Sequence, residues 1–123
     1  MANQPNILYI FTDQQSARMM SCAGNPDLKT PAMDSLAARG TRFTKAYCSY
    51  PLCTPSRAGM FTGRFPHEVG VNQNGVGIES GFRNSELGPL LTRAGYDCAY
   101  GGKWHLPQIA MPRDNDHGVE VIS

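Results

Sequence analysis

Five consecutive apolar residues, Ile7 to Phe11, open the hydrophobic pattern of the chain. The run is of strand length, rich in β-formers, and stops at the polar stretch Thr12–Ser16, which predicts a buried strand followed by a loop. The next segment changes period. Met33, Leu36 and Ala37 share one helical face, Thr30 and Pro31 stand at its start and Gly40 at its end, and together they predict a short helix. Residues 41–48 alternate well enough for a strand, and Arg42 and Lys45 suggest that it lies near a sheet edge. Thr54 then serves as N-cap, Pro55 as first helical residue and Gly63 as stop, so a second helix is expected over 55–62 with Cys53 just ahead of the cap. From Arg64 to Arg83 glycines and asparagines break every periodicity, predicting a long loop that is either functional or mobile. Ser85 and Gly95 bracket a third helix, and "YDCAYGG" predicts another short buried strand. Beyond it "IAMPRDNDHGVEVIS" offers strand-like hints without a clear element.

Strands that alternate with helices imply an α/β fold: a mainly parallel sheet flanked by helices on both faces. Ligands of such sheets sit outside the carboxyl ends of the strands. Asp13 follows the first expected strand, and Lys103 and His105 follow the last, so all three are expected at one edge.

At 123 residues the chain is one small domain or a piece of a larger one. Lys+Arg 11 against Asp+Glu 10 leaves a net charge of +1. No long-range field gathers nucleic acid or an anionic membrane, so neither is an expected partner, and any anion recognition must be local. The N-terminus lacks a basic n-region and its apolar run is too short for a signal peptide or a membrane span, which points to a cytoplasmic location. Cys22, Cys48, Cys53 and Cys98 are irregularly spaced and form no C-x-x-C pair, arguing against a disulfide framework or zinc. Of these, Cys22, Cys48 and Cys98 read as small buried hydrophobes.

Cys53 is different. The free N–H groups and the positive dipole end of the helix after it face the surrounding space, which favours anions. Arg57 and Arg64 lie near the same side of that helix, so a guanidinium is expected to lean back toward the thiol. "GGKWH" adds a cation, Lys103, and a group that switches protonation near neutral pH, His105. It is a near miss for a P-loop, with Trp104 where Ser or Thr is required.

The string Cys53, Pro55, Ser56, Arg57, followed by Thr62, Gly63 and Arg64, resembles the signature of the sulfatase family, C-x-P-S-R and T-G-R. The similarity extends through "PNILYIFTDQ", "GNPDLKTPAMDSLAARGTRFTKAYC", "GRFPHEVGV" and "LLTRAGYDCAYGGKWH". It implies the N-terminal part of an alkaline-phosphatase/sulfatase-like fold, with residues 1–123 forming a truncated portion of the catalytic domain. It also implies that a formylglycine-generating enzyme oxidises Cys53 to formylglycine, whose hydrate attacks the sulfur of a small-molecule sulfate ester beside a divalent metal, calcium being the expected ion. By the same resemblance Arg57 holds the hydrate, Lys103 contacts sulfate and nucleophile, His105 supports proton removal, and Arg64 braces the site by hydrogen bonds. Asp13, Gln14 and the modified Cys53 are the implied metal ligands.

Gln14 stands where the family more often has a second aspartate, a departure shared with relatives that cleave phosphonate monoesters and phosphodiesters. That alternative stays open, as does a non-catalytic remnant that binds an anion or a partner. "DHG" at Asp116–Gly118 looks like the family's later metal pair but lies too close to Lys103, and matches better the H-G-x-E stretch that ends at Glu120. The family's later metal pair, lysine and histidine have no counterpart, so little turnover is expected of the isolated chain. Exposed apolar surface and self-association are expected with it.

Overall fold

The computed structural model describes residues 4–107 and 120–122. They divide into two compact units, Met1–Ala46 and Tyr47–Ser123.

In the first unit one helix forms, α1 (Pro31–Arg39). It begins and ends as its proline and glycine predict, with the Gly40 N–H donating to the Leu36 carbonyl at 2.9 Å. Thr30, however, does not cap it with its side chain. Its hydroxyl joins a polar clasp instead: the Ser21 hydroxyl donates to Asp34 at 2.6 Å, the Cys22 N–H at 2.9 Å and the Thr30 hydroxyl at 3.1 Å. The clasp ties the 3-10 turn Ser21–Ala23 to the first turn of α1. The Ser21 hydroxyl is the main reason that the Asp34 carboxyl is held below its ordinary pKa of 3.8; partial burial opposes it, and the Cys22 N–H and Thr30 hydroxyl add to it. A depressed carboxylate pKa stabilises the fold above the ordinary value, and the contribution disappears as pH falls through the folded-state pKa. An NMR titration of the Cys22 amide proton should therefore show its midpoint below 3.8, and Asp34→Asn should flatten the curve. A midpoint at or above the ordinary value would mean that the clasp does not form in solution.

The expected strand over residues 6–11 is not a strand; the segment is extended but carries no ladder among the described residues. Ile7, Leu8 and Ile10 are mostly exposed there, as an uncovered apolar segment would be. Residues 41–48 also form no strand. A turn at Thr44–Lys45 interrupts them, and Phe43 and Tyr47 are exposed. A strand is stabilised by partners distant in sequence, and alternation by itself supplies none.

The second unit holds α2 (Cys53–Thr62), α3 (Leu87–Arg93), β1 (Ala99–Gly101) and β2 (Glu120–Ile122). Helix α2 starts two residues before its expected position. The Ser56 N–H donates to the Leu52 carbonyl at 2.8 Å, which makes Leu52 the N-cap and Cys53 the first helical residue. Thr54 is therefore inside the helix. At α3 the cap is Glu86, not Ser85, because Ser80–Ser85 coils into a 3-10 turn of its own. The C-terminus is as expected: Gly95 donates to Thr92 and Tyr96 to Leu91, the paired bonds of a Schellman motif.

Strands β1 and β2 pair in parallel, Tyr100 opposite Val121. Among the described residues this ladder is the whole of the expected sheet. Two strands of this length do not stand alone. β1 is supported by α2, where Phe61 stacks on Trp104 at 4.7 Å between ring centroids and meets Tyr100 edge-on at 6.0 Å. The stretch read as one long loop is partly core. Pro66–Val69 forms a 3-10 turn, and Val69 and Val71 are fully buried, each worth about 1.5–3 kcal/mol of hydrophobic stabilisation. The other cysteines do not match the expectation of burial: Cys48 is exposed, and Cys22 and Cys98 are half-buried.

Candidate functional site

The site is built at the start of α2. As the first helical residue Cys53 lies among backbone N–H groups that have no partner within the helix. Pro55, which has no N–H, fills one of those positions without cost. The Thr54 N–H donates to the Asn74 side-chain carbonyl at 3.0 Å. Thr54 is fully buried, and its hydroxyl donates to the His105 carbonyl at 2.9 Å. The residue after the cysteine thus links the helix start to both of its neighbours.

Lys103 and His105 follow β1, as the strand-end rule requires. The Lys103 ammonium lies 4.0 Å from the Cys53 sulfur. His105 has a φ of +55°, a backbone region that few residues other than glycine adopt. Its carbonyl is held there by Thr54. Arg57 is 4% exposed. Its Nη1 donates to the Lys103 carbonyl and, at 3.3 Å, to the Tyr100 hydroxyl. Arg64 is exposed and lies over the Phe82 ring at 5.3 Å, so its described side-chain partner is an aromatic face and not a hydrogen-bonded site group. The Ser56 hydroxyl meets the Cys48 sulfur at 3.2 Å.

Cys53, Arg57, Lys103 and His105 are therefore gathered in one unit. Asp13 and Gln14 belong to the other. No strand precedes Asp13, so the strand-end argument does not place it. Gln14 shares with His105 a φ of +55°, and they are the described non-glycine residues with positive φ. The side chains of Asp13 and Gln14 are oxygen donors suited to a hard cation, but such an ion takes ~6–8 oxygens. Among the described residues no group of three His, Cys, Asp or Glu is placed to hold a metal ion. The donor chemistry fits and the donor count does not. Asp116–Gly118 lie outside the described residues.

Asn74 and Tyr100 were not predicted as site residues. Asn74 stands in a segment whose only sequence signal is its turn-forming composition. That segment is held close: a Cβ on Gly77 would lie 2.5 Å from the Pro107 carbonyl oxygen, and the Tyr50 hydroxyl donates to the Asn72 carbonyl at 3.0 Å. Because Asn74 accepts one of the unpaired N–H groups of α2, Asn74→Ala should cost about 1 kcal/mol, as removal of a helix cap does. Asn74→Asp, which keeps the acceptor, should retain most of the stability. Thermal melts of the two variants check this, and equal melting of Asn74→Ala and wild type would show that the loop does not hold the helix start.

No helix among the described residues is long and apolar enough to cross a membrane. The family model described as Sulfatase matches residues 5–116. The chain is 44% identical over 103 residues to "Uncharacterized sulfatase YidJ" of Escherichia coli, covering 84% of this chain and 20% of that protein. It is 40% identical over 103 residues to "Ulvan-active sulfatase" of Formosa agariphila, covering 84% and 20%. Against "Arylsulfatase A" of Homo sapiens it is 40% identical over 113 residues, covering 85% and 22%. The chain spans about a fifth of the length of the curated relatives it matches.

Proposed function

The chain belongs to the sulfatase family, and from that premise we propose that it carries the nucleophile-bearing part of a sulfate ester hydrolase, with Cys53 as precursor of the nucleophile. The observation that carries this reading is the ammonium of Lys103, 4.0 Å from a sulfur at the first position of a helix. An anionic ester placed there meets a full positive charge beside the start of the helix, whose Thr54 N–H is engaged by Asn74 and whose Pro55 has none. The formylglycine made from Cys53 supplies, as its hydrate, one hydroxyl to attack sulfur and a second to release the sulfate. Around it Lys103 balances the charge that grows on the sulfate oxygens. His105, anchored through its carbonyl, handles the proton. Arg57 acts from beneath, holding the Lys103 backbone.

Asp13 and Gln14 contribute to a divalent cation site, calcium by their oxygen chemistry, whose remaining ligands come from outside the described residues. The family's α/β fold is completed in the same way, with residues 6–11 as a strand once neighbours are present.

The test is made on the full-length protein co-expressed with a formylglycine-generating enzyme. Mass spectrometry of the Cys53 peptide should show the aldehyde, and an activated aryl sulfate should be cleaved in preference to a phosphonate monoester. Preference for the phosphorus ester would reassign the substrate class. A Cys53 peptide that stays a thiol would remove the hydrolase reading and leave an anion-binding remnant.

A further inference from the structure

We propose that Tyr100 is a positioning residue that aims Lys103 at Cys53. Lys103 is exposed, and its side chain has four flexible carbons between backbone and charge. Holding its ammonium 4.0 Å from the Cys53 sulfur therefore depends on where its backbone is fixed. The Lys103 carbonyl accepts a hydrogen bond from the Tyr100 hydroxyl at 2.6 Å and another from Arg57. The two donors are themselves joined, Arg57 Nη1 donating to the Tyr100 oxygen at 3.3 Å. Both are locked by packing. Arg57 is buried in the second turn of α2, and the Tyr100 ring packs T-shaped against Trp104 at 4.9 Å and edge-on to Phe61 at 6.0 Å.

Between Tyr100 and Lys103 the chain reverses at Gly102, whose φ of +105° suits glycine alone. The hydroxyl closes that reversal from residue i to residue i+3. A phenylalanine at 100 would keep the ring contacts and lose the closure, leaving Arg57 as the described donor to the Lys103 carbonyl and aiming the lysine less firmly at the thiol. Tyr100 touches no reacting atom; it acts through Lys103.

The inference uses the role of Lys103 proposed above, but its test does not need that activity. The unmodified 123-residue chain, made without the maturing enzyme, is alkylated with iodoacetate and with iodoacetamide, and both rates are read on the Cys53 peptide. The rate ratio cancels thiol ionisation and reports positive charge beside the sulfur. Lys103→Met should lower the ratio roughly fivefold, the size of one unit charge at about 4 Å in a water-like medium. Tyr100→Phe should reproduce at least half of that fall on a logarithmic scale while melting within a few degrees of wild type. Incorporating 4-aminophenylalanine at position 100, which restores a donor at the same place, should return the ratio. A wild-type ratio in Tyr100→Phe would overturn the inference. So would a large loss of thermal stability, because the hydroxyl would then be a structural bond and not an aiming one. Should the ratio behave as expected while the matured full-length protein cleaves no ester, the positioning role stands and the proposed function falls.

Discussion

Replacing Cys53 with alanine should abolish ester hydrolysis by the matured full-length protein while leaving its melting temperature nearly unchanged. The asymmetry follows from the place of the residue. Cys53 is half-buried at the first position of α2, where a small side chain fits the helix, so the stability cost is of the order of 1 kcal/mol or less. Its chemical cost is far larger, because no other group in the site can form the covalent intermediate; loss of a covalent nucleophile typically lowers kcat by roughly 10⁴–10⁶-fold. Lys103 remains and still attracts the anion, so the KM should move little. The measurement is steady-state turnover of an aryl sulfate with a thermal melt of the same sample. Turnover within tenfold of wild type would place the nucleophile elsewhere and leave the α2 motif without its proposed role.

Arg57→Met should produce the largest loss of stability among the site residues, with loss of activity as its consequence. Arg57 is 4% exposed, and its guanidinium binds the Lys103 carbonyl and the Tyr100 hydroxyl. Methionine fills much of the stem volume but satisfies neither acceptor. Hydrogen bonds to a charged donor are worth about 1.5–3 kcal/mol each, so a total of roughly 2–4 kcal/mol is expected. In a unit of this size that lowers the melting temperature by about 10–20 °C. Arg57→Lys should rescue only part, since a single ammonium cannot serve both acceptors with the fork geometry of a guanidinium. Melting of Arg57→Met together with wild type would show that Arg57 is not the pin beneath the lysine and would return it to the substrate-facing role that its motif suggests.

The contrast between these two residues shows how far a linear reading reaches. Cys53 was identified by a local string, and the structure puts a cation beside it. Arg57 was identified by the same string; helical spacing allows it to lean toward the cysteine, and the structure adds what the string does not carry, bonds from its Nη1 to a distant carbonyl and phenol. Asn74 and Tyr100 carry no local mark of function. An asparagine in a turn-rich stretch and a tyrosine in a short strand acquire roles only when Thr54 and Lys103 are brought against them. Val69 and Val71 show the same principle in the core, because a glycine-rich composition hid two fully buried residues.

From the amino-acid order alone came the family, the ends of α1 and the C-terminal ends of α2 and α3, all of which depend on contacts within a few residues: proline at a first turn, glycine at a last one, and a motif whose chemistry is contiguous; the buried strand expected over 96–102 is only Ala99–Gly101, exposed at both ends. Tertiary structure decided the exact start of α2, the fate of the two absent strands, and the partners of Arg57, Thr54 and Tyr100. The bonds of Arg57 to Tyr100 and Lys103 and of Thr54 to His105 join groups tens of residues apart and exist only after the chain has closed on itself, whereas the Tyr100–Lys103 bond is local and gains its setting from the packing around it.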